Sequence, residues 1–358
     1  MMIHFPLFVS FSMIHLSQQI SYVSVITKSR KKVVVMKKFF RVSGFILIVL
    51  LLVFSILCVK SYFESKKPVI SEGYYKDFKS SAELELKYSV PGPYEISSYI
   101  FDIDDKSIDK IRVWYPSELE KESKKYPMIM VVNASNVQAD KYEPFFAKLA
   151  SWGFIVVGND DGQTGTGESS AFTLDYVLNV GENNILYKKV DVDNVGILGY
   201  SQGGAGAIRA VTEFQNGSIY KAIFTGSAAY PYLAKNMGWE YDSAKISIPY
   251  FMTAGTGKSD YSGKNPETEF GGVCPFSTLV GIYNSISNDT EKVMARVVGA
   301  EHEDMLLRTD AYMTAWFLYQ LQNDNEAAKI FVGSNAELLQ NDNWQDVMIG
   351  EIKNDREK

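Results

Sequence analysis

The sequence predicts an α/β fold in which a mostly parallel central sheet is covered by helices on both faces. Two observations lead to this prediction: short apolar runs alternate with helical patterns, and several of the runs are continuously apolar. A run such as residues 128–132 is typical of a strand buried on both faces of a parallel sheet. The 358 residues, 46% of them hydrophobic, are enough to bury such a sheet.

Each element is predicted from its own pattern. Apolar and β-branched runs predict strands at residues 95–103, 110–115, 128–132, 153–157, 195–198, 220–224, 248–252 and 293–298. Apolar residues at intervals of three and four predict helices at residues 142–152, 172–186, 205–214 and 311–321. The alternation of strands with helices favours parallel pairing across most of the sheet.

An apolar stretch near the N-terminus predicts a membrane anchor. No charged residue occurs from 42 to 59, and basic residues precede this stretch, so the positive-inside rule places the rest of the chain outside the membrane. Residues 36–60 are therefore assigned to a single-pass transmembrane anchor or signal-anchor. No Ala-x-Ala-like cleavage site follows it, which disfavours the alternative, a cleaved signal peptide that would leave a secreted protein.

The remaining segments are assigned from composition. Residues 1–35 are assigned to a leader, either cytoplasmic or non-native, and 61–90 to a charged stalk. Residues 91–335 are assigned to one α/β domain, and the polar stretch 336–358 to a C-terminal appendage.

Composition excludes several classes of function. A formal net charge of −6 without a basic stripe argues against nucleic-acid binding. The folded domain holds one cysteine, Cys274, because Cys58 lies in the apolar stretch, so no disulfide framework or cysteine-based zinc site can form. Of three histidines, His4 and His15 precede the apolar stretch, which leaves His302 as the histidine of the domain.

The motif Gly199-Tyr200-Ser201-Gln202-Gly203 directly follows the predicted strand that ends at Leu198. This Gly-x-Ser-x-Gly pattern places the serine on a sharp turn from a strand into a helix, where the glycines permit close approach of the two elements. Ser201 is therefore the candidate nucleophile.

A serine hydroxyl needs a base to take its proton, and His302 is the candidate base. A carboxylate must then orient the imidazole, and Asp260 follows the strand before His302 in the chain, which fits the order nucleophile, acid, base. Glu267 and Glu269 are the alternative acids. The carboxylates that flank the histidine are interpreted as solvated: Glu301, Glu303 and Asp304.

Acyl transfer also needs two backbone N–H donors for the oxyanion. Gln202, the residue after the nucleophile, should supply one. The loop after Val132 should supply the other, from Ser135 or, as the alternative, Asn136. A glycine-rich stretch at residues 162–169 resembles a phosphate-binding loop but has Glu168 where that loop needs lysine, so a flexible rim loop is predicted instead.

With these residues in place, the chain resembles the cutinase-like and polyester-hydrolase branch of the α/β-hydrolases, near the dienelactone-hydrolase and platelet-activating-factor acetylhydrolase relatives. The resemblance runs from about residue 92 to residue 331. Besides the serine motif it is carried by Ile111-Arg-Val-Trp-Tyr-Pro116, Leu149-Ala-Ser-Trp-Gly-Phe154, Gly299-Ala-Glu-His302 and Ala315-Trp-Phe-Leu318. It implies a catalytic domain at residues 91–335 with the same nucleophile, base, acid and oxyanion donors.

The chain departs from this family at four points. The first oxyanion residue is commonly aromatic, whereas here it is Ser135, and the residue after the nucleophile is Gln202 rather than methionine. The substrate-stacking tryptophan has no clear match, since Ala228 lies near its position, and the paired cysteines near the C-terminus are absent. The resemblance therefore implies the mechanism and does not imply polyester cleavage.

Together these observations predict a membrane-anchored, extracytoplasmic serine hydrolase that cleaves small or medium carboxylic esters through an acyl-enzyme, without a metal or organic cofactor. An amidase, a thioesterase or an acyltransferase would use the same residues. A non-catalytic, membrane-tethered binding protein on this fold is the alternative from another functional class. The expected partners are a small-molecule ester and the membrane.

Overall fold

The computed structural model describes residues 43–63, 68–104 and 108–350, together with Lys28, Lys32 and Lys38. Contacts divide the chain into two units, Met1–Lys67 and Pro68–Lys358. In the first unit, helix α1 (Ser43–Phe63) is long and apolar enough to cross a membrane, as a signal sequence would also be. Apart from Lys28 and Lys32, the leader predicted at residues 1–35 lies outside the described residues.

In the second unit the described residues form a nine-stranded sheet with the order β1-β2-β4-β3-β5-β6-β7-β8-β9. Its strands are β1 (Ile96–Asp102), β2 (Lys110–Pro116), β3 (Tyr126–Val132), β4 (Ile155–Asn159), β5 (Val190–Tyr200), β6 (Tyr220–Gly226), β7 (Tyr250–Gly255), β8 (Lys292–Val297) and β9 (Trp344–Ile349). Strands β3 to β8 pair with one another in parallel. Strands β1, β2 and β9 pair antiparallel at the two edges. The predicted mostly parallel sheet is confirmed.

Helices cover both faces of this sheet. They are α2 (Glu83–Ser89), α3 (Glu143–Ala150), α4 (Glu168–Leu178), α5 (Gln202–Thr212), α6 (Pro231–Asn236), α7 (Phe276–Ser285), α8 (Met305–Gln322) and α9 (Asn325–Ala328). Successive strand residues point to opposite faces, so Ile129 and Val131 join the core under α3 and α8, while Met128 and Met130 join the core under α4, α5 and α7. Burying each such side chain contributes about 1.5–3 kcal/mol.

The predicted helix at residues 172–186 is wrong at both ends. Helix α4 begins at Glu168 and ends at Leu178. The polar turn that follows includes Asn179 and Gly181, residues that disfavour helix and interrupt the apolar period. Helices α2, α6, α7 and α9 and strand β9 have no counterpart among the predicted elements.

The stalk predicted at residues 61–90 is wrong from Pro68 onwards, because the chain packs into the second unit there. Ile70 and Tyr88 are fully buried in the core under α8. Glu85, on α2, is also buried, and its carboxylate accepts hydrogen bonds from Trp344 Nε1 (2.7 Å) and Asn343 Nδ2 (2.8 Å). The polar average composition of this stretch concealed the few residues that pack into the domain.

The appendage predicted at residues 336–358 is wrong as far as Gly350, since it contributes β9 to the sheet. Leu338 is fully buried, and Trp344 is 5% exposed and stacks on Tyr312 with ring centroids 5.3 Å apart. A short polar strand carries little periodic signal, so the few apolar residues that fix it were not recognised as core.

We expect Trp344→Ala to lower the free energy of unfolding by about 3–5 kcal/mol, because it opens a cavity beside Tyr312 and removes a donor to the buried Glu85 carboxylate. Denaturant unfolding of the full chain in detergent, followed by circular dichroism, measures this. Gln345→Ala is the control, since its side chain is exposed and should change stability by less than about 0.5 kcal/mol. Equal stability of both variants would show that β9 is dispensable.

Candidate active site

Ser201 lies alone between the end of β5 at Tyr200 and the start of α5 at Gln202. Its backbone has φ 59° and ψ −123°, a conformation that side-chain-bearing residues rarely adopt. Such strain costs about 1–3 kcal/mol and persists where surrounding contacts enforce it. Here the Ser201 N–H donates to Gly226 C=O (3.0 Å), and the Ser201 C=O accepts from Ala229 N–H (3.1 Å).

Two glycines make this turn possible. A Cβ on Gly199 would lie 2.2 Å from the Gly203 carbonyl oxygen, and a Cβ on Gly203 would lie 2.1 Å from the Val132 carbonyl oxygen. Any larger residue would push α5 away from β5 and from the loop after β3. The glycines of the motif are therefore explained by this close approach.

His302 follows β8, and its ring lies between the other two predicted residues. Its Nε2 lies 2.9 Å from Ser201 Oγ, and its Nδ1 lies 2.8 Å from Asp260 Oδ1. Tyr200 stacks on the imidazole, with centroids 5.0 Å apart, and its hydroxyl donates to the His302 carbonyl oxygen (2.5 Å). Burial raises the pKa of Tyr200, so this phenol stays protonated as a donor.

Asp260 is fully buried, and its second carboxylate oxygen is also satisfied. Oδ2 accepts the Gly255 N–H (2.6 Å) and the Ser227 hydroxyl. These donors offset the cost of burying a carboxylate and leave Oδ1 directed at His302. Sequence reasoning missed Ser227 and Gly255; their one signal is that both lie at the carboxyl ends of strands, beside Ser201 and Asp260.

The alternative acids lie elsewhere. Glu267 and Glu269 are on an exposed loop, and the Glu269 carboxylate pairs with Lys264 at 3.2 Å. Since His302 Nδ1 already contacts Asp260, the geometry favours Asp260 over both.

The predicted oxyanion residues are joined by a side-chain contact. The Gln202 amide is 1% exposed and lies 2.6 Å from Ser135 Oγ. With its nitrogen donating to that hydroxyl, its oxygen accepts from the N–H groups of Gly165 (3.0 Å) and Thr164 (3.1 Å). The Gln202 N–H itself lies in the first turn of α5, where no intrahelical acceptor exists. Asn136, the alternative donor, gives its N–H to Gly162 C=O (2.8 Å).

The rim loop at residues 162–169 is more tightly held than the flexible loop that its glycines predicted. Thr164 is 1% exposed, and its hydroxyl donates to Asn133 C=O (2.6 Å). A Cβ on Gly206 of α5 would lie 2.2 Å from the Thr164 carbonyl oxygen. The small residues of this loop serve close packing against α5.

The structure thus brings the three predicted side chains into one hydrogen-bonded row at the carboxyl edge of the sheet. Such a row can pass a proton from a hydroxyl to an imidazole whose orientation is fixed by a carboxylate. Within the described residues, no group of three or more His, Cys, Asp or Glu side chains is placed to hold a metal ion.

Comparison with known proteins relates part of the chain to a protein family. A family model described as PET hydrolase-like (PETase) matches residues 88–261. The matched segment contains β1 to β7, Ser201 and Asp260, whereas His302 lies beyond it. None of the curated proteins compared matches the chain. The match confirms the resemblance to the polyester-hydrolase branch and the α/β-hydrolase fold class.

We expect Gly203→Ala to destabilise the protein strongly, because the new methyl group would collide with the backbone of Val132. Gly281→Ala in α7 is the matched control: a Cβ there meets nothing within 4 Å, so this variant should be stabilised by about 0.5–1 kcal/mol through helix propensity. Thermal unfolding of both variants tests the contrast. A Gly203→Ala protein as stable as the wild type would contradict the steric account.

Proposed function

We propose that this protein is a serine hydrolase that cleaves carboxylic esters with Ser201, His302 and Asp260, and the match of residues 88–261 to a PET hydrolase-like family model supports this proposal. The observation that supports it most is the pair of contacts at His302, 2.9 Å to Ser201 Oγ and 2.8 Å to Asp260 Oδ1. A nucleophile, a base and an orienting acid at hydrogen-bond distance are the parts that acyl transfer needs.

In the proposed mechanism, Ser201 Oγ attacks the ester carbonyl carbon while its proton passes to His302 Nε2. Asp260 holds the ring in the tautomer with its proton on Nδ1 and stabilises the imidazolium that forms. The N–H groups of Gln202 and Ser135 stabilise the oxyanion of the tetrahedral intermediate. Collapse of this intermediate breaks the ester bond, and His302 protonates the leaving alkoxide.

A water molecule then replaces the alcohol. His302 takes a proton from the water as it attacks the acyl-enzyme carbonyl, and returns that proton to Ser201 Oγ as the acid product leaves. His302 thus acts in turn as base and as acid, and this requires its Nε2 to face both the nucleophile and the leaving group.

The proposed substrate class is a small or medium carboxylic ester bound near the protein surface. Ser201 is only half-buried, so an ester can reach its hydroxyl from solvent. Ala228, near the family position of the stacking tryptophan, is buried, whereas Tyr232, four residues along the chain, is 44% exposed. Polyester cleavage is not part of the proposal, because Ser135 replaces the aromatic residue of that branch.

We expect a fluorophosphonate probe to label the full chain, purified in detergent, at Ser201, and Ser201→Ala to abolish labelling. His302→Ala should also abolish it, and Asp260→Asn should slow labelling by about 10³–10⁴-fold through the wrong imidazole tautomer. Peptide mapping identifies the adduct. A folded wild-type chain that reacts at no serine would overturn the proposal and favour the binding-protein alternative.

For the N-terminal unit we propose that α1 is an uncleaved single-pass anchor with the catalytic domain outside the membrane. We expect the protein to stay with membranes after alkaline washing, and protease added to intact cells to digest the domain. A Leu50→Arg, Leu51→Arg variant should be released, since each central arginine costs about 2.5–3.5 kcal/mol. A soluble wild-type protein whose first residue follows position 60 would show cleavage instead.

A further inference from the structure

Besides the contact between Asp260 and His302, a second set of hydrogen bonds joins the two loops that carry the proposed acid and base. The acid loop, residues 255–260, ends in Ser259 and Asp260, and the base loop, residues 298–304, contains Glu301 and His302. Ser259 thus directly precedes Asp260 in the sequence, and Glu301 directly precedes His302. Glu301 Oε2 accepts both the Ser259 N–H (2.8 Å) and the Ser259 hydroxyl (2.5 Å).

This pair also reaches the backbone of the histidine. Ser259 Oγ accepts the His302 N–H at 2.7 Å while it donates its own proton to Glu301. The hydrogen bonds from Ser259 lower the pKa of Glu301, so its carboxylate stays ionised and the hydrogen bond is charge-assisted. A hydroxyl that donates to a carboxylate is in turn a stronger acceptor for the His302 N–H.

The two loops fit together too closely for this contact to be incidental. A Cβ on Gly257 would lie 2.4 Å from Glu301 Cδ. The Gly257 N–H donates to Ala300 C=O (2.8 Å), and the Gly299 N–H donates to Thr256 Oγ1 (2.7 Å). The acid loop thus has glycine where the Glu301 side chain crosses it.

We propose that Ser259 and Glu301 are positioning residues that hold the His302 backbone in register with Asp260, and we call them the Ser259–Glu301 clasp. The inference rests on the proposed hydrolase function. The Asp260 contact fixes one ring nitrogen, but the ring reaches Ser201 only if the backbone of His302 is also fixed. The clasp holds its N–H, and Tyr200 holds its carbonyl oxygen.

The test compares ester hydrolysis and fluorophosphonate labelling rates of full-chain variants in detergent. Ser259→Ala and Glu301→Ala should each lower kcat by about tenfold while KM changes less than about twofold, because a displaced base affects the reaction step rather than binding. The double variant should be no slower than the slower single variant, since both act through one chain of hydrogen bonds. Glu301→Gln keeps an acceptor for Ser259 and should restore most of the rate.

Glu303→Ala is the matched control. Glu303 flanks His302 on the other side and is exposed. Its oxygen lies 3.5 Å from Ser259 Oγ, whereas the Glu301 oxygen lies at 2.5 Å. Loss of Glu303 therefore keeps the shorter hydrogen bond of the clasp and should leave kcat unchanged. If Ser259→Ala fails to fold, the kcat values of Glu301→Ala and Glu301→Gln test the clasp instead, because the Glu301 side chain is partly exposed and its substitution disturbs the fold less.

Wild-type kcat in Glu301→Ala, or an equal loss in Glu303→Ala, would overturn the clasp. A drop in thermal stability at unchanged kcat would do so too, since that is the result of a merely structural role. These outcomes are distinct from a wild-type chain that does not label at Ser201, which would instead remove the proposed function.

Discussion

The close approach of helix α5 to strand β5 and to the loop after β3 is the constraint on which the site depends. It is possible because Gly199 and Gly203 have no Cβ, and it forces Ser201 into a strained turn. Ser201 directly precedes the first turn of α5, where the Gln202 N–H has no intrahelical acceptor. A larger residue at either glycine would therefore disturb the strand, the helix and the turn at Ser201 together.

The parallel sheet explains why the other groups meet at this point. The carboxyl ends of parallel strands lie along one edge, where loops can bring together side chains that are distant in sequence. Ser227 follows β6, Asp260 follows β7 and His302 follows β8, and all three belong to one hydrogen-bonded network. Within it the buried carboxylate of Asp260 is satisfied on both oxygens, which fixes the direction it presents to the imidazole.

Much of this arrangement could be predicted from sequence because it depends on local patterns. Apolar runs identified the central strands, and the position of Ser201, Asp260 and His302 after successive strands implied that they would meet. The partners of these residues could not be predicted in the same way. Ser259 contacts Glu301 42 residues along the chain, and Glu301, beside two other acidic residues, had the pattern of a solvated carboxylate.

The segments at the two ends of the domain were predicted least well, because their burial also depends on contacts between residues that are distant in sequence. Residues 68–90 and 336–350 are polar on average, yet a few apolar side chains, Tyr88 and Trp344 among them, attach both segments to the core. Average composition weighs every residue equally, whereas burial depends on a few residues placed on one face. The two segments also contact each other, because Trp344 Nε1 donates a hydrogen bond to the Glu85 carboxylate. The sequence of either segment alone therefore does not show which of its residues are buried.

The central proposal is that one hydrogen-bonded row activates Ser201 beside the N–H groups of Gln202 and Ser135. A crystal structure of the full chain after reaction with a phosphonate ester tests it most directly. The account predicts phosphorus bonded to Ser201 Oγ, a phosphoryl oxygen within hydrogen-bond distance of the N–H groups of Gln202 and Ser135, and His302 still in contact with Asp260. An adduct on another residue, or a phosphoryl oxygen that points away from both N–H groups, would contradict it.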